Sequence, residues 1–141
     1  MNIKVSHEMG RVPITVLSID REIDSLNYEK LDEIAYQEIE NGTQYILMDL
    51  SGVRFMSSAA FRSMTRIFKK LRSVSKDGSD EDMHKGINAG TYKSPYLKIY
   101  KPSKAVAETM KIAGFDMLLE INNDMKASID SFQAYLSPKL N

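Results

Sequence analysis

The sequence predicts an α/β fold in which a mostly parallel, mixed sheet of about five strands is accompanied by about four helices. Strand-like and helix-like segments alternate along most of the 141 residues, which is typical of strand–helix–strand units with parallel strands. The segment 45–50 is apolar at nearly every position, as expected for a strand that helices cover on both faces. We therefore expect this strand to lie at the centre of the sheet.

The chain begins with two predicted strands and a helix. Two runs rich in β-branched residues, 3–5 and 14–19, are separated by Gly10 and Pro13, which favours a short antiparallel pair. A helix follows, since Asn27 is a favourable N-cap residue and the Asn-Gly pair after position 40 is a typical helix end. Its apolar side chains recur at helical spacing: Leu31, Ile34, Ala35 and Ile39.

A second amphipathic helix is predicted after the central strand and a short loop. Its apolar stripe consists of Phe61, Met64, Phe68 and Leu71. The segment 76–95 that follows has three glycines, clustered charges and no periodicity. Loops of this length without structure of their own are functional or disordered, and we expect a mobile, disordered surface loop.

The last part of the chain predicts two further strand–helix units. Residues 97–100 are the next strand candidate, and the pair Pro102-Ser103 is the predicted cap of a helix that Gly114 ends. The inward positions of this helix are Val106, Met110 and Ala113. Residues 117–121 are predicted to form the last strand, and the pair Asn123-Asp124 opens a final helix. The apolar face of that helix contains Met125, Ile129, Phe132 and Leu136. Because no repeat or boundary interrupts this order, we expect residues 1–141 to form a single domain.

Composition favours a cytoplasmic protein without disulfides. The chain has no cysteine, so neither a disulfide framework nor a thiolate metal site is expected. No run approaches the roughly 18 apolar residues of a membrane span, and the first residues lack the pattern of a signal peptide. With 19 basic and 19 acidic residues, the chain has no overall field that would recruit nucleic acid or an anionic membrane.

The charges are nevertheless sorted along the chain. Residues 20–40 contain eight acidic and two basic residues, whereas residues 54–76 contain seven basic residues and no acidic one. Two solvated helix faces of opposite sign explain this sorting, and a partner footprint is the alternative.

Motifs for catalysis or metal binding are incomplete. The acidic cluster near His84 lacks the glycine and glutamate positions of an EF-hand calcium loop. The glycines of the segment 76–95 lack the contiguous Gly-Lys-Ser of a phosphate-binding loop, and neither histidine lies in a triad pattern. We therefore expect no enzyme activity, no cofactor and no metal.

The best candidate site is the serine pair at the start of the second helix. In sheets of this kind, ligands and partners meet the protein beyond the carboxyl ends of the strands, where Ser57 and Ser58 are expected. One serine caps the helix in the simpler interpretation. In the functional interpretation an exposed serine accepts a phosphate, which adds about −1.5 to −2 charges that the positive helix end tolerates. Such a phosphate would change only the surface that a partner meets.

Three segments resemble the STAS domain, the module of bacterial anti-sigma factor antagonists and of sulfate transporter tails. Residues 46–61 resemble the family's apolar strand ending in Asp-Leu-Ser, followed by Phe-Met/Ile-Asp-Ser-Ser/Ala-Gly-Leu. Residues 17–24 resemble its Leu-x-Gly-x-Leu/Ile-Asp strand end, and residues 106–116 resemble its third helix and the following Gly-Leu/Phe. With the closing strand and helix, the resemblance spans nearly the whole chain and implies the STAS fold.

The resemblance also implies a mechanism. Ser58 matches the serine that a kinase-type anti-sigma factor phosphorylates, with Ser57 as the second choice, and Asp24 matches the acid that ends the second strand beside it. In the family the unphosphorylated protein captures the anti-sigma factor and frees the sigma factor. Phosphorylation releases the anti-sigma factor, and a phosphatase resets the cycle.

Three positions depart from the family pattern. Ser57 stands where the family usually has Asp, whereas Ala60 and Arg21 stand where it has Gly. We expect the missing acid to weaken kinase recognition, Ala60 to add bulk where the partner approaches, and Arg21 to crowd the same end of the sheet. The predicted docking surface contains Arg21, Asp24, Phe55, Ser57, Ser58, Ala60, Phe61 and Arg62.

The resemblance thus implies a bacterial phosphoprotein of signal transduction and transcription regulation that acts by partner switching. One alternative is a non-switching scaffold subunit of a regulatory assembly, which the missing Asp and Gly favour. Another is a module that binds a small molecule such as a nucleotide or lipid, which the lack of a glycine-rich phosphate cradle disfavours. The sequence does not fix the oligomeric state, and a monomer and a weak homodimer are both open.

Overall fold

The structure, a computed structural model, describes residues 1–75, 80–90 and 92–134, the side chains of residues 80–82 excepted. One mixed sheet has the strand order β1-β2-β3-β4-β5, so β3 is central, as predicted. Among the described strands only β1 and β2 pair antiparallel, and the other neighbours are parallel. The strands are β1 (Asn2–Met9), β2 (Pro13–Ile23), β3 (Ile46–Met56), β4 (Leu97–Tyr100) and β5 (Ile121–Asn122).

Six helices lie within the described residues. They are α1 (Tyr28–Glu40), α2 (Ser58–Ser75), α3 (Asp80–Asn88), α4 (Lys104–Ile112), α5 (Phe115–Leu118) and α6 (Met125–Ser131). The predicted α/β class and the mostly parallel sheet are confirmed. The two additional helices are α3 and α5, and both lie where the sequence predicted something else.

The segment 76–95 contains a helix, so the prediction of a structureless loop is wrong for its described part. After α3 the ring of Tyr92 packs edge-on against Phe68 of α2, with 6.4 Å between ring centroids. Gly86 lets residue 92 lie close against α3, because a Cβ atom at position 86 would lie 2.9 Å from the Cβ of Tyr92. Met83 also packs against the core. These contacts with distant residues anchor a helix that local periodicity did not indicate, and the mobility of the segment stays a prediction.

The predicted last strand at residues 117–121 is also wrong in most of its length. Gly114 has a left-handed conformation (φ 83°) and ends α4, as predicted, but the chain enters α5 immediately. Phe115 of α5 packs against Phe61, with 5.1 Å between ring centroids. Ala113 is the C-cap of α4 and is exposed rather than inward. A short apolar run fits a strand and a helical turn equally well, and here the packing of Phe115 accompanies the turn.

Two of the three predicted helix caps are confirmed. The Oγ of Ser103 accepts a hydrogen bond from the backbone N–H of Val106 at 3.2 Å. The Oδ2 of Asp124 accepts one from the N–H of Ala127 at 2.8 Å. Asn27 precedes α1 as predicted, but its side chain makes no capping hydrogen bond because it is used in the loop before the helix. Residue 136, predicted for the last apolar face, lies outside the described residues.

The strand β3 is longer than predicted and reaches almost to α2. It pairs with β2 as far as Ile23 opposite Met56, so the expected loop after residue 50 is a continuation of the strand. The register between β2 and β3 shifts twice, near residue 19 and after Arg21. Deeper in the sheet, β3 is completely buried at Ile46, Leu47, Met48 and Leu50. The apolar pattern therefore predicts the buried part of β3, residues 46–50, but not its half-exposed end, residues 51–56.

Helices cover both faces of the sheet. On one face His7 of β1 lies next to Thr15 of β2, and its Nε2 is 2.7 Å from the Oε1 of Glu38 in α1. On the other face Lys98 of β4 is buried, and its Nζ donates to the Oγ of Ser131 at the end of α6 at 3.0 Å. This arrangement explains why the central strand is apolar on both sides.

Arg21 has an unusual backbone conformation. Its φ is 72°, in the left-handed region, and it lies exposed in the irregular part of β2. This conformation costs a residue with a Cβ atom about 1–2 kcal/mol. The family pattern has glycine here, which adopts the conformation without that cost.

Replacing Arg21 with glycine is expected to raise the free energy of unfolding by about 1 kcal/mol, because the relief of strain exceeds the added flexibility of the unfolded chain. Urea unfolding would show a higher midpoint at an unchanged slope. The control is Lys4→Gly, at an exposed strand position without positive φ, which is expected to lower stability by about 0.5–1 kcal/mol. Equal losses in both variants would contradict the strain at Arg21.

Candidate functional site

The carboxyl ends of β2 and β3 meet the amino end of α2 at one end of the sheet. Ile23 and Met56 are opposite each other at the ends of the two strands. The backbone N–H of Ser57 donates a hydrogen bond to the carbonyl of Ile23 at 3.0 Å. This bond fixes the start of α2 beside Asp24, the first residue after β2.

The two adjacent serines have different roles. Ser57 is the cap of α2: its Oγ accepts from the N–H of Ala59 at 3.2 Å, and its carbonyl accepts from the N–H of Ala60 at 3.0 Å. Ser58 is the first residue of the helix and is exposed. Its hydroxyl has no hydrogen-bond partner within the part of the chain that the structure describes. The structural and the functional interpretations of the serine pair therefore fall on different residues.

Asp24 shapes the loop between β2 and α1. Its Oδ1 accepts from the N–H of Leu26 at 2.9 Å, and its own N–H donates to the Oδ1 of Asn27 at 2.9 Å. The Nδ2 of Asn27 donates to the carbonyl of Glu22 at 3.0 Å. A side chain that bonds to the backbone two residues on forms an Asx turn, which stabilises a tight loop. The loop consequently holds Leu26 at its tip.

Apolar side chains are exposed at this end of the molecule. Leu26 is 94% exposed and Phe55, at the end of β3, is 58% exposed. Arg54 next to Phe55 lies 3.9 Å from the carboxylate of Glu22, and such an exposed pair contributes little to stability. Aromatic and arginine side chains are enriched at protein interfaces, and one of each, Phe55 and Arg54, is exposed at this end of the sheet.

The predicted site residues are only partly exposed. Ala60 is completely buried, so the prediction that it faces a partner is wrong: its position on the helix turns it into the core. Phe61 is half-buried against Phe115, and Arg62 is exposed one turn after Ser58. Arg21 is exposed on β2, three positions before Asp24. Contacts of these residues with a partner stay predictions.

The acidic helix α1 and the basic helix α2 pack side by side through a polar network that the sequence did not reveal. Asp32 accepts hydrogen bonds from the hydroxyl of Ser63 and, at 2.9 Å, from the Nε of Arg66. The guanidinium of Arg66 also lies 5.3 Å from the ring centroid of Tyr28. Burial raises the pKa of Tyr36, and the Asp32 carboxylate adds to the rise while Arg66 opposes it. The acidic run at residues 20–40 and the basic run at residues 54–76 are the sequence feature that could have predicted this contact between α1 and α2.

Other kinds of site have little support in the described residues. No group of three potential metal ligands is found among them. None of their helices has the length and hydropathy needed to cross a membrane. A cavity of about 540 Å³ lies at the opposite end of the sheet, and its lining includes His7, Thr15, Glu38, Thr43 and Tyr45. It shares no residue with the surface around Ser58.

Together these features define an α/β domain whose exposed site lies at the carboxyl ends of two parallel strands. The family model of the STAS domain matches residues 5–76, slightly more than half of the chain, from β1 to the end of α2. The chain therefore belongs to the STAS domain family. A comparison with curated protein sequences gave no match.

Several solved structures are similar to this chain. An anti-sigma factor antagonist from Mycobacterium paratuberculosis is 16% identical, with 91% of this chain and 92% of that chain covered and a TM-score of 0.65. The Bacillus cell fate determinant SpoIIAA in its phosphorylated form is 13% identical, with coverages of 90% and 96% and a TM-score of 0.59. The unphosphorylated form of the anti-sigma factor antagonist SpoIIAA is 11% identical, with coverages of 90% and 93% and a TM-score of 0.59. At these identities the similarity establishes the fold.

Proposed function

We propose that this protein is an anti-sigma factor antagonist-like regulator of transcription in the bacterial cytoplasm, switched by phosphorylation of Ser58. Its partner is a kinase-type anti-sigma factor, and a phosphatase resets the switch. The observation that carries the proposal is the division of roles at the start of α2. Ser57 supplies the helix cap, so the hydroxyl of Ser58 is left exposed at the first position of an 18-residue helix.

A phosphate on Ser58 is compatible with the fold. It would add about −1.5 to −2 charges at the positive end of the α2 dipole, where anions are stabilising by about 0.3–1 kcal/mol. Arg62 is exposed one turn later and supplies a cation at the spacing that stabilises helical ion pairs. The modification therefore changes the surface without breaking a described hydrogen bond of the Ser58 side chain.

The same phosphate would be unfavourable in a complex. Leu26 and Phe55 give this end of the sheet apolar contacts that a partner would cover. A partner that also covers phosphorylated Ser58 would remove water from the phosphate dianion. Burying this charge without a partner, or next to another negative charge, costs several kcal/mol. Since about 1.4 kcal/mol changes affinity tenfold, one modification suffices to release the partner.

We further propose that the protein acts by binding and has no catalytic activity of its own. In the modification the Ser58 oxygen attacks the γ-phosphorus of ATP held by the partner kinase, the bond to ADP breaks, and the hydroxyl proton goes to a base of the kinase. The similarity to SpoIIAA, whose structure is known in a phosphorylated form, supports this assignment.

Incubation with the cognate kinase and ATP, followed by mass spectrometry of proteolytic fragments, tests the proposal. We expect one phosphate on wild-type protein, located on Ser58. The Ser57→Ala variant is expected to be modified as well, although loss of the cap lowers its stability by about 1 kcal/mol. The Ser58→Ala variant should carry no phosphate.

A different result would point to another function. Wild-type protein without phosphate on either serine would contradict the switch and would favour the non-switching scaffold, for which the Ser in place of the family's Asp is the supporting observation. Phosphate on Ser57 rather than Ser58 would contradict the assignment of the cap.

A further inference from the structure

The strand β1 forms an edge of the sheet and has no neighbour on its outer side among the described residues. Six of its eight residues are exposed, and the other two are half-buried. Such an edge presents a row of backbone N–H and C=O groups that can pair with another strand. Natural edge strands are usually short or interrupted by bulges or proline, whereas β1 pairs regularly with β2 along its whole length.

The direction of the backbone groups along β1 follows from its pairing with β2. Thr15 donates its N–H to the carbonyl of Tyr45 on the β3 side, so Thr15 is not hydrogen-bonded to His7, its opposite residue in β1. Hydrogen-bonded and non-hydrogen-bonded pairs alternate in an antiparallel ladder. The odd-numbered residues of β1, Ile3, Val5, His7 and Met9, therefore point their N–H and C=O groups outward.

The sequence of β1 is complementary to itself in one antiparallel register. In a pairing centred on Ser6, Lys4 of one chain lies opposite Glu8 of the other, and by symmetry the same ion pair forms a second time. Ile3 lies opposite Met9, also twice. This register brings the outward-pointing residues of both strands together, so about eight interchain hydrogen bonds are available. Shifting it by two residues in either direction removes both ion pairs.

We propose that two copies of this chain form a symmetric dimer through β1, pairing antiparallel about Ser6 into one continuous sheet. Opposite charges and apolar pairs across neighbouring strands each favour association, and a two-fold axis uses every contact twice. The axis runs between the two β1 strands, midway between the two copies of Ser6, perpendicular to the sheet. It places the Ser58 surfaces at opposite ends of the double sheet, so both stay open to partners.

Charge reversal tests the dimer in solution, with sedimentation equilibrium of the full chain as the measurement. We expect wild-type protein to dimerise with increasing concentration. Lys4→Glu alone and Glu8→Lys alone should each raise the dimer dissociation constant by at least about tenfold, because like charges then face each other twice. An equimolar mixture of the two variants should recover wild-type affinity, since every introduced charge then faces its opposite.

Two further variants separate the edge from the rest of the surface. Lys70→Glu makes the same charge change at an exposed position of α2 and is expected to leave the dissociation constant unchanged. Val5→Pro removes an outward-pointing N–H without removing a bond to β2, so it should abolish the dimer while circular dichroism shows a folded chain.

Three outcomes would overturn the proposal. Wild-type protein that stays monomeric at every concentration would contradict the dimer, and β1 would then pair with a strand of another protein or stay hydrated. Dimers that persist in Val5→Pro would show that a different surface associates. A mixture of Lys4→Glu and Glu8→Lys that stays monomeric would rule out the register.

Discussion

Replacing Ser58 with aspartate is expected to raise the dissociation constant of the complex with the anti-sigma factor at least about 100-fold, which corresponds to about 3 kcal/mol. The reason is that the exposed hydroxyl lies at the same end of the sheet as Leu26 and Phe55, so a partner that covers this end desolvates a carboxylate at position 58. The free protein should be as stable as wild type or slightly more so, because a negative charge suits the amino end of α2. Isothermal titration calorimetry measures the first quantity and urea unfolding the second.

The matched control is Ser73→Asp, an exposed serine near the carboxyl end of the same helix. We expect it to leave partner binding unchanged and to lower stability by about 0.3–1 kcal/mol, since a negative charge is unfavourable at that end. Ser58→Ala should bind like wild type, because it removes only the hydroxyl. Unchanged binding by Ser58→Asp would support a scaffold that does not switch.

The Phe132→Ala substitution is expected to lower the free energy of unfolding by about 3–5 kcal/mol, a large part of the 5–15 kcal/mol typical of a domain. The side chain is completely buried directly after α6, and its ring centroid is 6.0 Å from that of Tyr45. The Nζ of the buried Lys98 lies 4.9 Å from the same ring. Truncation therefore leaves a cavity and also removes a favourable contact from a buried ammonium group. Urea unfolding at unchanged slope is the measurement.

Phe55→Ala provides the comparison, because Phe55 is 58% exposed. We expect it to change stability by less than about 0.5 kcal/mol and to weaken partner binding about tenfold, as for an aromatic anchor in an interface. Similar stability losses in the two variants would contradict the assignment of Phe132 to the core and of Phe55 to the surface.

The parts of the fold that the sequence predicted have a strong local signal. The central strand is apolar on both faces, and the stripe containing Met64, Phe68 and Leu71 has a clear helical period; all three side chains are buried. The caps at Ser103 and Asp124 are local, because each side chain accepts a hydrogen bond from the backbone N–H three positions later. Such features depend on neighbouring residues, and the sequence contains them directly.

The features that were missed depend on distant contacts. The helix α3 is followed by Tyr92, whose ring packs on Phe68 of α2, and periodicity along the sequence cannot show this contact. At the candidate site, the exposure of Ser58 agrees with its predicted position. The burial of Ala60 could not be predicted, because it depends on which face of α2 is turned towards the core. The sequence predicts that the Asn27 side chain caps α1, but its Oδ1 accepts from the N–H of Asp24 instead. A helix cap and a loop hydrogen bond are both local uses of this side chain, and the sequence does not show which one forms.

The packing of α1 against α2 places a mainly acidic helix beside a basic one, although the 19 basic and 19 acidic residues of the chain cancel. Exposed carboxylates such as Glu29 and Glu33 lie on one helix, and the ammonium groups of Lys69 and Lys70 lie on its neighbour. A charged partner consequently exerts a torque on this pair of helices, and its net pull on the chain is weaker than on a chain with net charge. This torque acts within about one Debye length, roughly 8–10 Å at physiological ionic strength, and turns the molecule into one preferred orientation at the moment of encounter.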